Sequence, residues 1–205
     1  QGLGAQLVGV MPGEKGMNAG QMLGRAPMPL KAMLLLNVDP LLDAADPAAA
    51  ATALRAAEVV VAMSPLQLQS LEHVDVLLPI APFTETSGTF INAEGRVQSI
   101  HGVVKPAADA RPGWKVLRVL GNQFELSGFD FETSEDVRQE ALGDVAAVAT
   151  RLSNANAPSA ASGATPPAVP GSGFERISDV PIYASDSLVR HAASLQLTAD
   201  ARAPR

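Results

Sequence analysis

The sequence predicts an α/β fold: a partial parallel sheet with flanking helices, then a β-hairpin and a linker-tethered C-terminal segment. Three observations carry that expectation. Short continuous apolar runs, "AMLLLNV", "VVVAMS" and "DVLLPI", recur between residues 32 and 80. Stretches with helix-start signals separate them, and a polar turn closed by glycine follows. Strand, helix, strand, helix, strand in that order implies parallel pairing with right-handed crossovers.

Residues 1–31, rich in Gly, Met and Pro, read as a backbone-permissive loop with short helical pieces. Two phosphate-binding templates fail there. A P-loop counted from Gly9 needs glycine at position 14, which is Glu14. The dinucleotide pattern begun by Gly2 and Gly4 needs glycine at position 7, which is Leu7. From Ala32 the pattern becomes regular, and the continuous runs predict strands buried on both faces. In "DPAAAATALRAAE", Asp46 is placed to cap a helix and Pro47 suits its first position. "LQLQSLEHV" predicts a short second helix before the third strand. Residues 1–81 form the α/β region.

Residues 82–152 extend the same domain as a hairpin and helical region. "PFTETSGTFINAEGRVQ" predicts two paired strands, Thr89–Ile91 and Val97–Ile100, joined by Asn92-Ala93-Glu94-Gly95. Asn favours the opening of such a turn, and Gly tolerates the left-handed conformation that closes it with a bulge. The stretch emerges beyond the carboxyl ends of the strands, where parallel sheets bind ligands. Two readings therefore stand for its polar residues. Glu85 and Glu94 form a carboxylate pair suited to acid–base work, or they are a capping Glu and a solvated hairpin tip.

Further on, Pro112 opens a helix in which Val116, Leu117 and Leu120 share a face, and Gly121 is expected to end it. Trp114 reads as a packing anchor. Thr133 or Ser134 caps the next helix, with Glu135 and Asp136 placed where the helix dipole favours acids. Residues 153–173, uncharged and dominated by Ala, Pro, Ser and Gly, read as a flexible linker. Residues 174–205 form a docking tail, in which Leu188, Ala192 and Leu195 recur at helical spacing after a cap at Ser185 or Asp186.

Composition narrows the chemistry. A net charge of −6 without any Lys/Arg cluster argues against nucleic acid as a partner. Cysteine is absent, which removes disulfides and the usual ligands of iron–sulfur clusters and Cys-type zinc sites. His73, His101 and His191 are isolated and form no zinc motif. No apolar run approaches the roughly 20 residues that span a bilayer, so direct membrane insertion is not expected. No signal peptide opens the chain, and its first residue is Gln1, so it reads as a fragment or as the tail of a longer subunit.

"DVLLPIAPFTETSGTFINAEGRVQ" resembles the molybdopterin oxidoreductase superfamily, whose members carry a similar D-V-x-L-P…E…G-T-F-x-N-x-E-G-R-x-Q segment. More narrowly, "GVVKPAADARPGWKVLRVLGN", "GFDFETSEDVRQEAL" and "VPIYASDSLVRHAASLQLT" resemble the large peripheral-arm subunits of bacterial respiratory complex I, NADH-quinone oxidoreductase. The likeness runs from about Gly9 to Thr198, broken by the linker. It implies a molybdopterin-oxidoreductase-like fold and a cofactor-free structural region that supports electron transfer from NADH to quinone by scaffolding. Iron–sulfur clusters are then expected in a missing N-terminal part, and the partners are other peripheral-arm subunits. The location implied is the cytoplasmic side of the bacterial inner membrane. No catalytic or metal-binding residue is implied, and Thr86, Asn92, Glu94, Gly95 and Arg96 are vestigial pterin-site candidates. The alternative is the pterin-binding part of a molybdenum-dependent oxidoreductase, with residues 9–24 and the strand ends offering backbone N–H groups to phosphates.

Overall fold

The computed structural model describes residues 2–10, 12–13, 16–24, 28–92, 94–151 and 180–202. The chain divides into two units, residues 1–152 and 153–205. The residues read as a linker, 153–173, lie outside the described ones.

In the first unit, α1 (Gly2–Leu7) and α2 (Ala19–Gly24) precede the strand β1 (Ala32–Leu36). Two helices follow, α3 (Pro40–Asp43) and α4 (Pro47–Ala56), and then β2 (Val59–Ser64). The Asp46 carboxylate accepts the N–H of Ala49 at 3.0 Å, so α4 starts where the capping signal and Pro47 place it. A 3₁₀ turn, Gln69–His73, leads to β3 (Val76–Pro79). The strands pair in parallel in the order β1-β2-β3, with Leu34 beside Val61 and Val61 beside Val76. A 3₁₀ turn at Phe83–Glu85 then enters the antiparallel hairpin β4 (Gly88–Ile91) and β5 (Val97–Ile100). The unit continues with α5 (Gly113–Gln123), α6 (Ser134–Leu142) and a 3₁₀ stretch at Val145–Arg151.

One core sits on one face of the sheet. Met33, Leu35, Val60 and Ala62 pack there with Leu54 of α4 and Leu68. Full burial of one such leucine stabilises by about 2 kcal/mol. The expectation of strands buried on both faces is met in the second half of β2, at Ala62, Met63 and Ser64, and is corrected for β1. Burial alternates along β1, with Leu34 47 % and Leu36 48 % exposed between the buried Met33 and Leu35. The apolar runs reflect a sheet with two apolar faces, of which the described residues cover mainly one.

One helix boundary also differs from expectation. Gly121 does not stop α5, which runs on to Gln123. It is buried because the Phe129 ring lies directly on its backbone, where a Cβ would overlap ring atoms Cγ and Cδ1. The glycine serves close packing. The turn falls later, with Glu125 left-handed at φ 55°. α6 ends at Leu142, and Gly143 supplies the positive φ of 64° that lets the chain turn away.

The second unit contains α7 (Ile182–Ser185), α8 (Ser187–His191), α9 (Ala193–Gln196) and α10 (Ala199–Arg202). Asp186 caps α8, accepting the N–H groups of Leu188 and Val189 at 2.9 Å each. The single helix expected through Leu188, Ala192 and Leu195 is instead broken at Ala192, whose backbone is extended (φ −82°, ψ 98°). Gln196 Nε2 holds the pieces together, donating to the carbonyls of Tyr183 (3.0 Å) and Val189 (2.9 Å).

Candidate functional site

The polar stretch after β3 enters the hairpin, and its residues divide into two groups. Asn92, Glu94, Gly95 and Arg96 build the turn. The Asn92 side-chain oxygen accepts the backbone N–H groups of Glu94 (3.0 Å) and Arg96 (2.8 Å). Gly95 donates its N–H to the Asn92 carbonyl at 3.0 Å with φ 79°, the left-handed closure that glycine favours. Glu94 and Arg96 are exposed. Among the five candidates, Thr86 lines two adjoining cavities, and its hydroxyl donates to the Ser87 carbonyl at 3.1 Å.

Glu85 stands apart from Glu94 in role. Its Oε2 accepts the N–H of Ala107 at 2.9 Å, tying the loop after β5 back to the hairpin's entry. Gly102 lets that loop pass, because a Cβ there would lie 2.9 Å from the Glu85 carbonyl carbon and 3.0 Å from the Thr86 nitrogen. Glu85 is thus a loop clamp, and it caps no helix.

Two adjoining cavities share Thr86, Ser87, Trp114 and Ser134. One, of about 530 Å³, is walled by β4, Trp114 and the apolar side of α6, with Arg138 on its edge. Arg138 donates Nη1 to Ser99 Oγ at 2.5 Å, linking α6 to β5. The other, about 520 Å³, is ringed by charge: Lys105 and Lys115 beside Glu85, Glu132 and Glu135. Lys115 Nζ also lies 5.3 Å from the Trp114 ring centre, within cation–π range. Trp114, expected as a packing anchor, is half-buried and forms a wall common to both spaces. Volumes of this size suit small ligands. Sequence reasoning missed Arg138, Lys105 and Lys115. These cluster only because α5 and α6 are folded onto the hairpin, and no local spacing announces that.

The acids at the start of α6 are held ionised. Hydrogen bonds from the Glu135 backbone N–H and the Ser134 hydroxyl lower the pKa of Glu135, with smaller help from the charges of His101 and Arg138. The Thr133 hydroxyl and then its backbone N–H hold Asp136 below the ordinary 3.8. Thr133 and Asp136 form a reciprocal capping box, with Asp136 N–H donating to Thr133 Oγ1 at 3.1 Å and Asp136 Oδ2 accepting Thr133 N–H at 2.9 Å. Carboxylates so lowered are poor proton donors at neutral pH. No histidine lines either cavity. The arrangement can bind and position a small ligand.

A pH test follows from the box. The pKa of Asp136 is lower when folded, so its stabilising contribution is full above the unfolded value of 3.8. It fades as pH falls through 3.8 and then through the lower folded pKa. Asp136→Asn should therefore melt below the parent near neutral pH, and the gap should close on acidification. Thermal melts across that range check this. A gap independent of pH would show that charge on Asp136 contributes nothing.

The three histidines remain scattered. His73 Nε2 lies 3.3 Å from Glu72, His101 is exposed, and His191 Nδ1 lies 2.6 Å from the Ser187 carbonyl oxygen. Among the described residues, no group of three or more His, Cys, Asp or Glu side chains could hold a metal ion. No helix among them is long and apolar enough to cross a membrane.

Comparison with known proteins fits this geometry. The model of the molybdopterin oxidoreductase family matches residues 3–123, which include the parallel sheet, the hairpin and α5. The chain belongs to the molybdopterin oxidoreductase family. It is 30 % identical over 128 residues to F420-dependent formate dehydrogenase 1 subunit alpha of Methanococcus maripaludis, covering 61 % of this chain and 19 % of that protein. It is 33 % identical over 73 residues to the "Probable oxidoreductase YjgC" of Bacillus subtilis, covering 36 % of this chain and 7 % of that one. The chain thus spans less than a fifth of either relative. The acetylene hydratase from Pelobacter acetylenicus shares the fold, with a TM-score of 0.50 and 22 % identity over 60 % of this chain and 17 % of that one.

Proposed function

We propose that this chain is a segment of the large subunit of a molybdopterin-dependent oxidoreductase, where it builds part of the wall around the pterin cofactor. The observation that carries this reading is the family match over residues 3–123, on a relative set that includes a formate dehydrogenase. The donor set defines the share this segment takes. Cysteine thiolates are absent from the sequence, and the described residues offer no group of three or more His, Cys, Asp or Glu side chains that could hold a metal ion. These residues therefore do not fit the metal. They fit the organic part better, through Thr86 and the hydroxyls and backbone beside it. When bound, the cofactor supplies the redox chemistry, and the hairpin and α6 shape the space against it.

A second reading is favoured by the way the motif's polar atoms are engaged. Asn92 and Glu85 both point their oxygens at backbone N–H groups, which leaves the hairpin fully formed without any ligand. Such a hairpin suits the cofactor-free scaffold that the resemblance to the complex I large subunit implies. In that setting the partners are neighbouring peripheral-arm subunits at the cytoplasmic side of a bacterial membrane, and the assembly passes electrons from NADH to quinone.

Elemental analysis and oxidised-pterin fluorescence on the natively purified parent protein separate the two. The first reading expects about one molybdenum per chain together with pterin. A parent that lacks both, yet purifies with NADH:quinone activity, would overturn it in favour of the scaffold.

A further inference from the structure

The charge-ringed cavity of about 520 Å³ gathers both signs without pairing them. Lys105 reaches it from the loop after β5 and Lys115 from the first turn of α5. Glu132 and Glu135 stand at the start of α6. Among the described residues, neither lysine forms an ion pair with a carboxylate. Glu85, the third acid of the ring, is engaged by the Ala107 N–H. Glu135 accepts the Ser134 hydroxyl at 3.0 Å and is held ionised by such local hydrogen bonds. Two ammonium groups and two carboxylates thus line one recess and meet nothing of opposite sign across it.

That mixture selects among ligands. A simple anion entering the recess meets Glu132 and Glu135 as well as the lysines, and a simple cation meets both lysines. A ligand that carries both signs can set each against its opposite, and like-charge contacts turn the others away. The recess also has an apolar wall, made by Trp114, Pro106 and Pro112. Proline fixes its own backbone angle, and Trp114 is half-buried, so this wall is in place before a ligand arrives. Lys115 Nζ already lies 5.3 Å from the Trp114 ring centre, which sets one cation beside the aromatic surface.

We propose that this cavity is a binding site for a small zwitterion of the amino-acid class with an apolar side chain. The ligand carboxylate lies on Lys105 and Lys115, its ammonium group on Glu132 and Glu135, and its side chain against Trp114. A cavity of about 520 Å³ has room for a molecule of that size. The site is separate from the apolar cavity offered to the pterin cofactor, although Trp114 walls both. It holds for either reading of the redox role, and the absence of molybdenum would leave it standing.

Trp114 is the single tryptophan of the chain, so its fluorescence reports the site directly. Leucine titrated into the full chain at low ionic strength should change that emission saturably. Two analogues separate the charges: isocaproate keeps the carboxylate and the aliphatic body, and isoamylamine keeps the ammonium group and the body. Each is expected to bind about tenfold more weakly than leucine, because one pair of protein charges is left unmet. Lys105→Gln and Glu132→Gln change exposed side chains that make no hydrogen bond or ion pair among the described residues. Each should weaken leucine by about tenfold and leave the thermal melt where it is. An analogue that binds as tightly as leucine would reduce the site to one for a simple ion and overturn the proposal. Variants that bind leucine as the parent chain does, or no saturable change with leucine, would overturn it equally.

Discussion

Replacing Leu54 by alanine is expected to destabilise the first unit by about 3 kcal/mol. Leu54 is 2 % exposed and is the residue through which α4 closes the core over Met33, Leu35, Val60 and Ala62. Truncation removes burial and leaves a cavity between a helix and a sheet, neither of which can collapse without breaking strand register. Urea unfolding followed by circular dichroism measures the loss. Leu34→Ala in the same chain provides the contrast, because its side chain is about half exposed on the uncovered face. That change should cost less than about 1 kcal/mol here. Equal costs for the two substitutions would show that the face assignments are wrong.

Asp39→Ala should destabilise by a comparable amount, about 3 kcal/mol, by a different route. Asp39 is 2 % exposed at the carboxyl end of β1. One carboxylate oxygen accepts the N–H of Leu41 at the start of α3, at 3.2 Å, and the other accepts the N–H of Gln69, thirty residues on. A single side chain thus fixes the beginnings of two helical segments that face the core. Alanine would leave both donors without their acceptor in a place that excludes water. Asn keeps only one acceptor oxygen, so Asp39→Asn should restore about half of the loss. Chemical denaturation of the three proteins side by side gives the ranking. If alanine and asparagine were both neutral, the clamp would have no energetic role.

Much of the scaffold is legible from local chemistry. Asp46-Pro47 marks the start of α4 because a carboxylate acceptor and a residue lacking N–H satisfy what a helix start requires. Thr133 and Asp136 do the same for α6. Asn92 and Gly95 close the hairpin because they satisfy its turn within a few residues. Each of these devices completes its hydrogen bonds within four positions in sequence, so the sequence carries the whole instruction.

The candidate site was legible only in part. The motif located the hairpin and Thr86, but the partners that give Glu85 and Arg138 their roles lie 22 and 39 residues away. Gly121 illustrates the same limit. Its place near the end of an apolar helix resembles a stop signal, and only the docking of Phe129 onto its backbone reveals close packing as the reason for glycine.

By itself, the sequence determined the strand and helix order, the caps, the hairpin turn and the absence of cysteine ligands, since all of these depend on residue type and short spacing. Tertiary structure alone decided which face of the sheet is covered, which acid clamps which loop and where the cavities open. An apolar run records that a strand avoids water, but not which neighbour keeps the water out. That neighbour is set by contacts between segments distant in sequence.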